Sequence, residues 1–166
     1  PPPPPPQNGS AASELKTFLE RTEFQDFQMY ALRHPDRLFH DIDTDNSGKL
    51  NMKELEQMVH WASANGVALL FDFYADWCQP CKKLTPKLEQ LATRSGGRCV
   101  LVKVDVDTHT GISDQLRIQT LPTVMTMIDG RFVDTFQGVL PDDQLEAFVD
   151  RAIDAAAAGA GTRAAE

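Results

Sequence analysis

Ala75-Asp76-Trp77-Cys78-Gln79-Pro80-Cys81-Lys82 holds two cysteines separated by two residues, a spacing that closes a small disulfide ring or supplies two metal ligands. Ahead of it, Val67 to Tyr74 is almost wholly apolar and reads as a buried β-strand. Behind it, Leu84, Leu88, Leu91 and Ala92 recur at helical spacing. Cys78 is therefore placed at a strand-to-helix turn, where free backbone N–H groups and the helix dipole favour a thiolate. Such a site lowers a thiol from its ordinary pKa of about 8.5 and makes a nucleophile at working pH. Cys81, one turn inside the helix, is expected to be more buried and to act as the resolving thiol. Zinc would need two further ligands, and Cys99 with His34, His40, His60 or His109 offers no tight second pair. The pattern points to redox chemistry.

Composition narrows the partners. The 166 residues suit one domain or one plus a small extension, and a hydrophobic fraction of 42% is enough for a core. A net charge of −8 disfavours nucleic acid or an anionic membrane as partner. No apolar run approaches the length of a membrane span. Three cysteines, one close pair and one alone, do not make a secreted disulfide framework, so a reducing intracellular compartment is expected. The chain opens on a proline, so the expected place is the cytosol, or a plastid or mitochondrion if a targeting peptide has been removed.

Residues 1–13 read as a disordered proline-rich leader. From Ser13 and Glu14 a helix is expected, with Leu15, Phe18 and Leu19 and then Phe24, Phe27 and Ala31 on its apolar side, until His34-Pro35 breaks it. Next comes Asp43-Thr44-Asp45-Asn46-Ser47-Gly48-Lys49-Leu50-Asn51-Met52-Lys53-Glu54, which fits the twelve-position calcium loop of an EF-hand. Asp43, Asp45 and Ser47 would give side-chain oxygens at positions 1, 3 and 5. Gly48 permits the turn, Lys49 offers its carbonyl, Asn51 serves directly or through water, and Glu54 closes the shell. The expected metal is calcium. No second loop is visible, so this one would pair with an upstream segment or across a homodimer. Residues 14–65 thus form a helical calcium-binding segment.

The exit helix, about Met52 to Ala64, ends at Asn65-Gly66 and feeds the Val67–Tyr74 strand without a linker. A helix from Lys82 to about Arg94 should kink at Pro86. Cys99–Val106 reads as a second buried strand, with Cys99 a small core residue, and a short helix lies around Ser113–Leu116. Thr123–Ile128 and Arg131–Phe136 form a hairpin across Asp129-Gly130. Pro141-Asp142-Asp143 opens a last helix with Leu145, Phe148, Val149 and Ala152 inward, and residues 154–166 are expected to be a disordered alanine-rich tail or a frayed end of that helix.

This order around a cysteine pair resembles the thioredoxin family over roughly residues 52–153. The resemblance implies an α/β fold, a central mixed sheet flanked by helices, here preceded by the helical EF-hand segment and sharing its exit helix. Trp77-Cys78-Gln79-Pro80-Cys81-Lys82 looks like the family's active-site motif, with Gln79 where glycine is usual. Phe71-Asp72-Phe73 matches the segment of the family's buried aspartate, so Asp72 would assist proton transfer at Cys81, and Lys103 falls where its lysine partner lies. Leu121-Pro122-Thr123 looks like the loop with a cis-proline opposite the disulfide. Pro86 matches the helix kink, and Gly138 the glycine by the substrate groove. Tyr74 replaces the usual tryptophan. Lys49–Asn51 falls near the family's first strand, and the EF-hand exit helix takes the place of its first helix. The whole also resembles the calredoxins, calcium-dependent thioredoxins that join EF-hands to a thioredoxin domain.

The leading reading is a calcium-responsive thiol–disulfide oxidoreductase with Cys78 as nucleophile, Cys81 as resolving thiol, and Asp72 and Lys103 in support. Trp77, Gln79, Pro80, Leu121, Pro122 and Gly138 would hold the substrate. Its partners would be disulfide-containing proteins, for example peroxiredoxin-like ones, and an external thioredoxin reductase or small-thiol donor, since no flavin or nicotinamide motif is present. The alternatives are a calcium-sensing adaptor without turnover and a constitutive reductase with a structural calcium site.

Overall fold

The computed structural model describes residues 26–30, 49–108 and 110–165. The proline-rich leader, the start of the expected first helix and positions 1–6 of the calcium loop, Asp43–Gly48, lie outside them. The strands are β1 (Asp26–Tyr30), β2 (Lys49–Asn51), β3 (Ala68–Tyr74), β4 (Cys99–Asp105), β5 (Thr123–Ile128) and β6 (Arg131–Gln137). The helices are α1 (Met52–Asn65), α2 (Gln79–Arg94), α3 (Thr110–Gln115) and α4 (Asp142–Ala165).

One mixed sheet has the order β2-β1-β4-β3-β5-β6. The β3 and β4 strands run parallel, and every other neighbouring pair is antiparallel. A strand hydrogen-bonded on both edges and covered on both faces must be apolar throughout. That is why β3 reads Ala-Leu-Leu-Phe-Asp-Phe-Tyr, with all but Tyr74 buried. Its one charged residue, Asp72, is the exception to explain. Side chains alternate along a strand, so Asp72 points away from Phe71 and Phe73. The latter two join Phe132 in an aromatic cluster, with Phe71 edge-on to Phe132 at 5.5 Å between centroids. Each such pair adds about 0.5–1.5 kcal/mol to simple burial.

The short connections follow from local chemistry. Between β5 and β6, Asp129 and Gly130 both have positive φ, 54° and 75°, the geometry of a two-residue turn whose twist suits a hairpin. Ser63 on α1 donates to Asp129 Oδ1 at 2.6 Å and ties that helix to the turn.

Two expectations need correction. Residues 26–30 form β1, not the continuation of a helix through Phe27 and Ala31. The β1 strand pairs antiparallel with β4 through Gln28–Lys103, Met29–Val102 and Tyr30–Leu101. Phe27 and Met29 alternate with polar Gln28, a period-2 pattern hidden inside an apparent helical one. The pull is backbone satisfaction, since β4 would otherwise present a row of unpaired N–H and C=O groups. The β2 strand then pairs with β1 through Asp26–Asn51, Phe27–Leu50 and Gln28–Lys49. Lys49–Asn51 is thus a strand as expected, at the sheet's edge.

The second correction is the tail. Helix α4 does not stop near Ile153 but runs to Ala165. Alanine has the highest helix propensity, and Ala156 extends the buried stripe of Leu145, Phe148, Val149, Ala152 and Ile153 by one turn. Alanine's small side chain hid that continuation. Ala156→Asp is expected to lower unfolding free energy by about 2 kcal/mol, because it buries an unpaired carboxylate. Ala157→Asp, on the exposed side of the same turn, should change it by less than about 0.5 kcal/mol. Denaturant unfolding of the pair checks the helix directly.

Candidate active site

The site begins where β3 ends. Cys78 caps α2, with φ −84° and ψ 105°, and its N–H bonds back to the Ala75 carbonyl at 3.1 Å. Its sulfur accepts the backbone N–H of Cys81 at 3.2 Å, so a cysteine does here what serine or aspartate does at other helix starts. Pro80 in the first turn has no N–H to leave unsatisfied. The helix starts at Gln79, three residues earlier than the sequence suggests, and runs through Pro86. One helical turn brings Cys81 back to Cys78, and a disulfide joins them with Cα atoms 5.3 Å apart. Cys78 and Cys81 are 3% and 1% exposed.

The rim is open on one side. Trp77 is 67% exposed, and its indole N–H donates to Asp107 Oδ2 at 2.9 Å, which holds the ring at the mouth of the site. Gln79 and Pro80 are exposed beside it. The Leu121–Pro122 peptide is cis, Leu121 packs on the Ala75–Cys78–Cys81 cluster, and the Pro122 carbonyl accepts the Gly138 N–H at 2.9 Å. Gly138 has φ 76°, a conformation that a side chain would strain. The structure thus brings together Trp77, Gln79, Pro80, Leu121, Pro122 and Gly138 around the disulfide.

On β3, Asp72 is fully buried. The Thr85 hydroxyl donates to Asp72 Oδ2 at 2.6 Å, while Oδ1 has no partner among the described residues. Lys103 stands beside Asp72 in the parallel β3–β4 register, but its ammonium is bonded to Glu89 at 3.2 Å. Burial raises the Asp72 carboxyl from 3.8 to about 6; the Thr85 hydrogen bond and Lys103 oppose the rise, and Glu89 adds to it. A pocket of about 350 Å³ opens alongside, lined by Tyr74, Asp76, Cys81, Lys82, Thr85 and Lys103 among others.

Thr85, Glu89 and Asp107 were not singled out from the sequence. A signal for the first two exists: Cys81, Thr85 and Glu89 recur every four residues and so share one face of α2. Cys99 sits in the core as expected, its thiol pushed up by burial. Of the expected calcium loop, the described part is backbone: Lys49–Asn51 is extended and α1 begins at Met52. Among the described residues no group of three or more His, Cys, Asp or Glu is placed to hold a metal.

A family model described as thioredoxin matches residues 46–151. The mitochondrial thioredoxin of Bos taurus is 42% identical over 85 residues, 51% of this chain and 51% of that protein. Thioredoxin of Bacillus subtilis (strain 168) is 33% identical over 100 residues, 60% of this chain and 95% of that protein. The X-ray structure of Fasciola hepatica thioredoxin superposes with a TM-score of 0.53 at 30% identity, covering 60% of this chain and 92% of that one. The chain spans about half the length of the mitochondrial relatives it matches.

The Asp72 shift has a measurable consequence. Its pKa is raised in the folded state, so between about pH 4 and pH 6 the native protein holds a proton that the unfolded chain has released. Stability therefore falls as pH rises through that window. Asp72→Asn is expected to unfold like wild type below about pH 4. At pH 7 it should be more stable by roughly 2–3 kcal/mol, each pKa unit being worth about 1.4 kcal/mol. Urea unfolding at the two pH values is the check.

Proposed function

The chain belongs to the thioredoxin family, and we propose that it reduces protein disulfides by exchange with a Cys78/Cys81 dithiol. The observation that carries this is the Cys78–Cys81 disulfide closed across the first turn of α2, the helix whose Thr85 hydrogen-bonds a buried carboxyl.

In the reduced protein the helix N-terminus favours Cys78 as thiolate, through the same amide that meets its sulfur in the disulfide. The thiolate attacks one sulfur of a target disulfide; a Cys78–target mixed disulfide forms, and the other target sulfur leaves as thiolate. Cys81 passes its proton to the Asp72 carboxylate and its sulfur attacks Cys78 Sγ. The Cys78–Cys81 bond closes and the target leaves reduced by two electrons. Lys103 favours ionised Asp72. Trp77, Gln79, Pro80, Leu121, Pro122 and Gly138 form the surface on which an extended target segment lies. The two electrons return from an external thioredoxin reductase or a small-thiol donor in a reducing compartment, and peroxiredoxin-like proteins are one class of target that fits.

Calcium responsiveness is the second part of the reading. Asp43, Asp45, Ser47, Asn51 and Glu54, with the Lys49 carbonyl, would hold the ion, which when bound supplies a fixed positive charge that orders the loop. What favours coupling is a row across the sheet: Lys49 is paired with Gln28, Gln28 with Lys103, and Lys103 with Asp72. The loop backbone is thus two strands away from the residue beside the buried carboxyl.

Cys78→Ser is expected to abolish insulin-disulfide reduction, and Cys81→Ser to accumulate a mixed disulfide visible on non-reducing gels. Wild-type turnover by both variants would remove the dithiol mechanism. Calcium should raise the wild-type rate over a buffered nanomolar-to-millimolar series, with Glu54→Gln needing at least about tenfold more. A flat response in wild type leaves a constitutive reductase.

A further inference from the structure

We propose that Thr85 is a positioning residue for the resolving step: its hydroxyl holds one oxygen of Asp72 and leaves the other as the acceptor for the Cys81 proton. The inference deepens the exchange mechanism proposed above and rests on its assignment of Asp72 as the base.

Three observations carry it. First, Thr85 Oγ1 to Asp72 Oδ2, at 2.6 Å, is the one side-chain hydrogen bond to this carboxyl among the described residues. Lys103, the residue that would be expected to hold it, bonds instead to Glu89. Second, Oδ1 is buried and has no partner among the described residues. A buried carboxylate oxygen without a donor is costly, and a carboxyl that must take up a proton needs one oxygen unencumbered. Third, Thr85 and Cys81 lie four residues apart on α2, hence on one face, and both line the pocket beside the disulfide. Asp72 itself does not reach that pocket. Thr85 therefore joins the buried acid to the helix that carries the thiol, and fixes the carboxyl plane relative to it.

The electrostatic sign agrees. A hydroxyl donating to a carboxylate favours the charged form, and only the charged form accepts a proton. Other groups face Asp72 as well: Lys103 from β4, which favours the carboxylate, Glu89 from α2, which disfavours it, and Tyr74 on β3 itself. On β5 the paired residue is Val124, which carries no charge. A valine at position 85 keeps the shape of threonine and removes the donor, so the other contributions stay in place.

The test uses the reduced full chain and two readouts, the carboxyl ¹³C titration of Asp72 and the single-turnover rate of mixed-disulfide resolution across pH 5–9. Thr85→Val should move the Asp72 titration up by about one pH unit. With a starting value near 6, resolution should then slow about fivefold at pH 6 and about twofold at pH 7, and recover above pH 8. Thr85→Ser, which keeps the donor, should match wild type in both readouts. Thr85→Ala serves as a second donor-less variant if the valine protein does not fold. A Val or Ala protein that titrates and resolves like wild type overturns the role of Thr85, as does a Ser protein that behaves like Val. Asp72→Asn separates the two levels: slow resolution is expected, its rate following only the ionisation of the Cys81 thiol towards high pH with no inflection near pH 6, and a wild-type rate and profile overturn the assignment of Asp72 as base.

Discussion

A carboxyl group buried at the centre of a β-sheet is the constraint around which this molecule is arranged. Asp72 occupies a position where every neighbour on β3 is apolar, and taking a carboxylate out of water there costs several kcal/mol unless something offsets it. The surroundings offset it only in part. Thr85 supplies one strong hydrogen bond. Lys103 supplies a charge, but one already shared with Glu89. The balance leaves Asp72 with a pKa of about 6, where it both takes up and gives up a proton near neutrality. A fully paired carboxylate would stay ionised and a wholly unpaired one would stay neutral. Neither would exchange protons with a thiol at working pH.

The cysteine pair is held by the strand-to-helix junction with little freedom. The Cys78 N–H is tied to Ala75 and its sulfur to the Cys81 amide, while Pro80 fixes φ in the first turn. Trp77 and the cis peptide at Pro122 come from separate segments of the chain, yet both are anchored by hydrogen bonds to neighbouring loops, Asp107 for one and Gly138 for the other. The surface around the disulfide is therefore built from separate segments that the sheet holds in register. Sites supported this way keep their geometry better than sites on a single loop.

Much of this was legible in the chain because it is local. The apolar run at Val67–Tyr74, the Cys-Gln-Pro-Cys turn and the Asp-Gly hairpin each carry their structure within a few residues; the strand and the hairpin match to within a residue, and the helix at the cysteines starts three residues earlier than expected. What failed was governed by distant partners or by small side chains. Phe27 and Met29 fit a helix as well as a strand, and the unpaired edge of β4, more than seventy residues away in sequence, decides between them. Ala156 carries too little apolar surface to register as core until the sheet is seen beneath it. Thr85 and Glu89 were overlooked for a related reason. Polar residues on a helix are read as solvated unless a buried group is known to lie opposite, and only the fold puts Asp72 there.

The placement of β1 and β2 adds a physical link that the expectation of a separate helical segment had missed. Had residues 26–30 been helical, the loop around Lys49–Asn51 could have moved without disturbing the sheet. As strands, they share a hydrogen-bonded row with Lys103 and Asp72, and a shift in one strand must be absorbed by its neighbours because register is all-or-none. The Lys103 ammonium bridges to Glu89 while its backbone belongs to that row, so β1 is hydrogen-bonded to the strand that carries the charge beside the buried carboxyl. Under the calcium-responsive reading proposed above, this row is the path by which loop order would act on the active site. It needs only that the two arrangements of the loop favour different positions of β4, which is the condition any coupling between distant sites must meet.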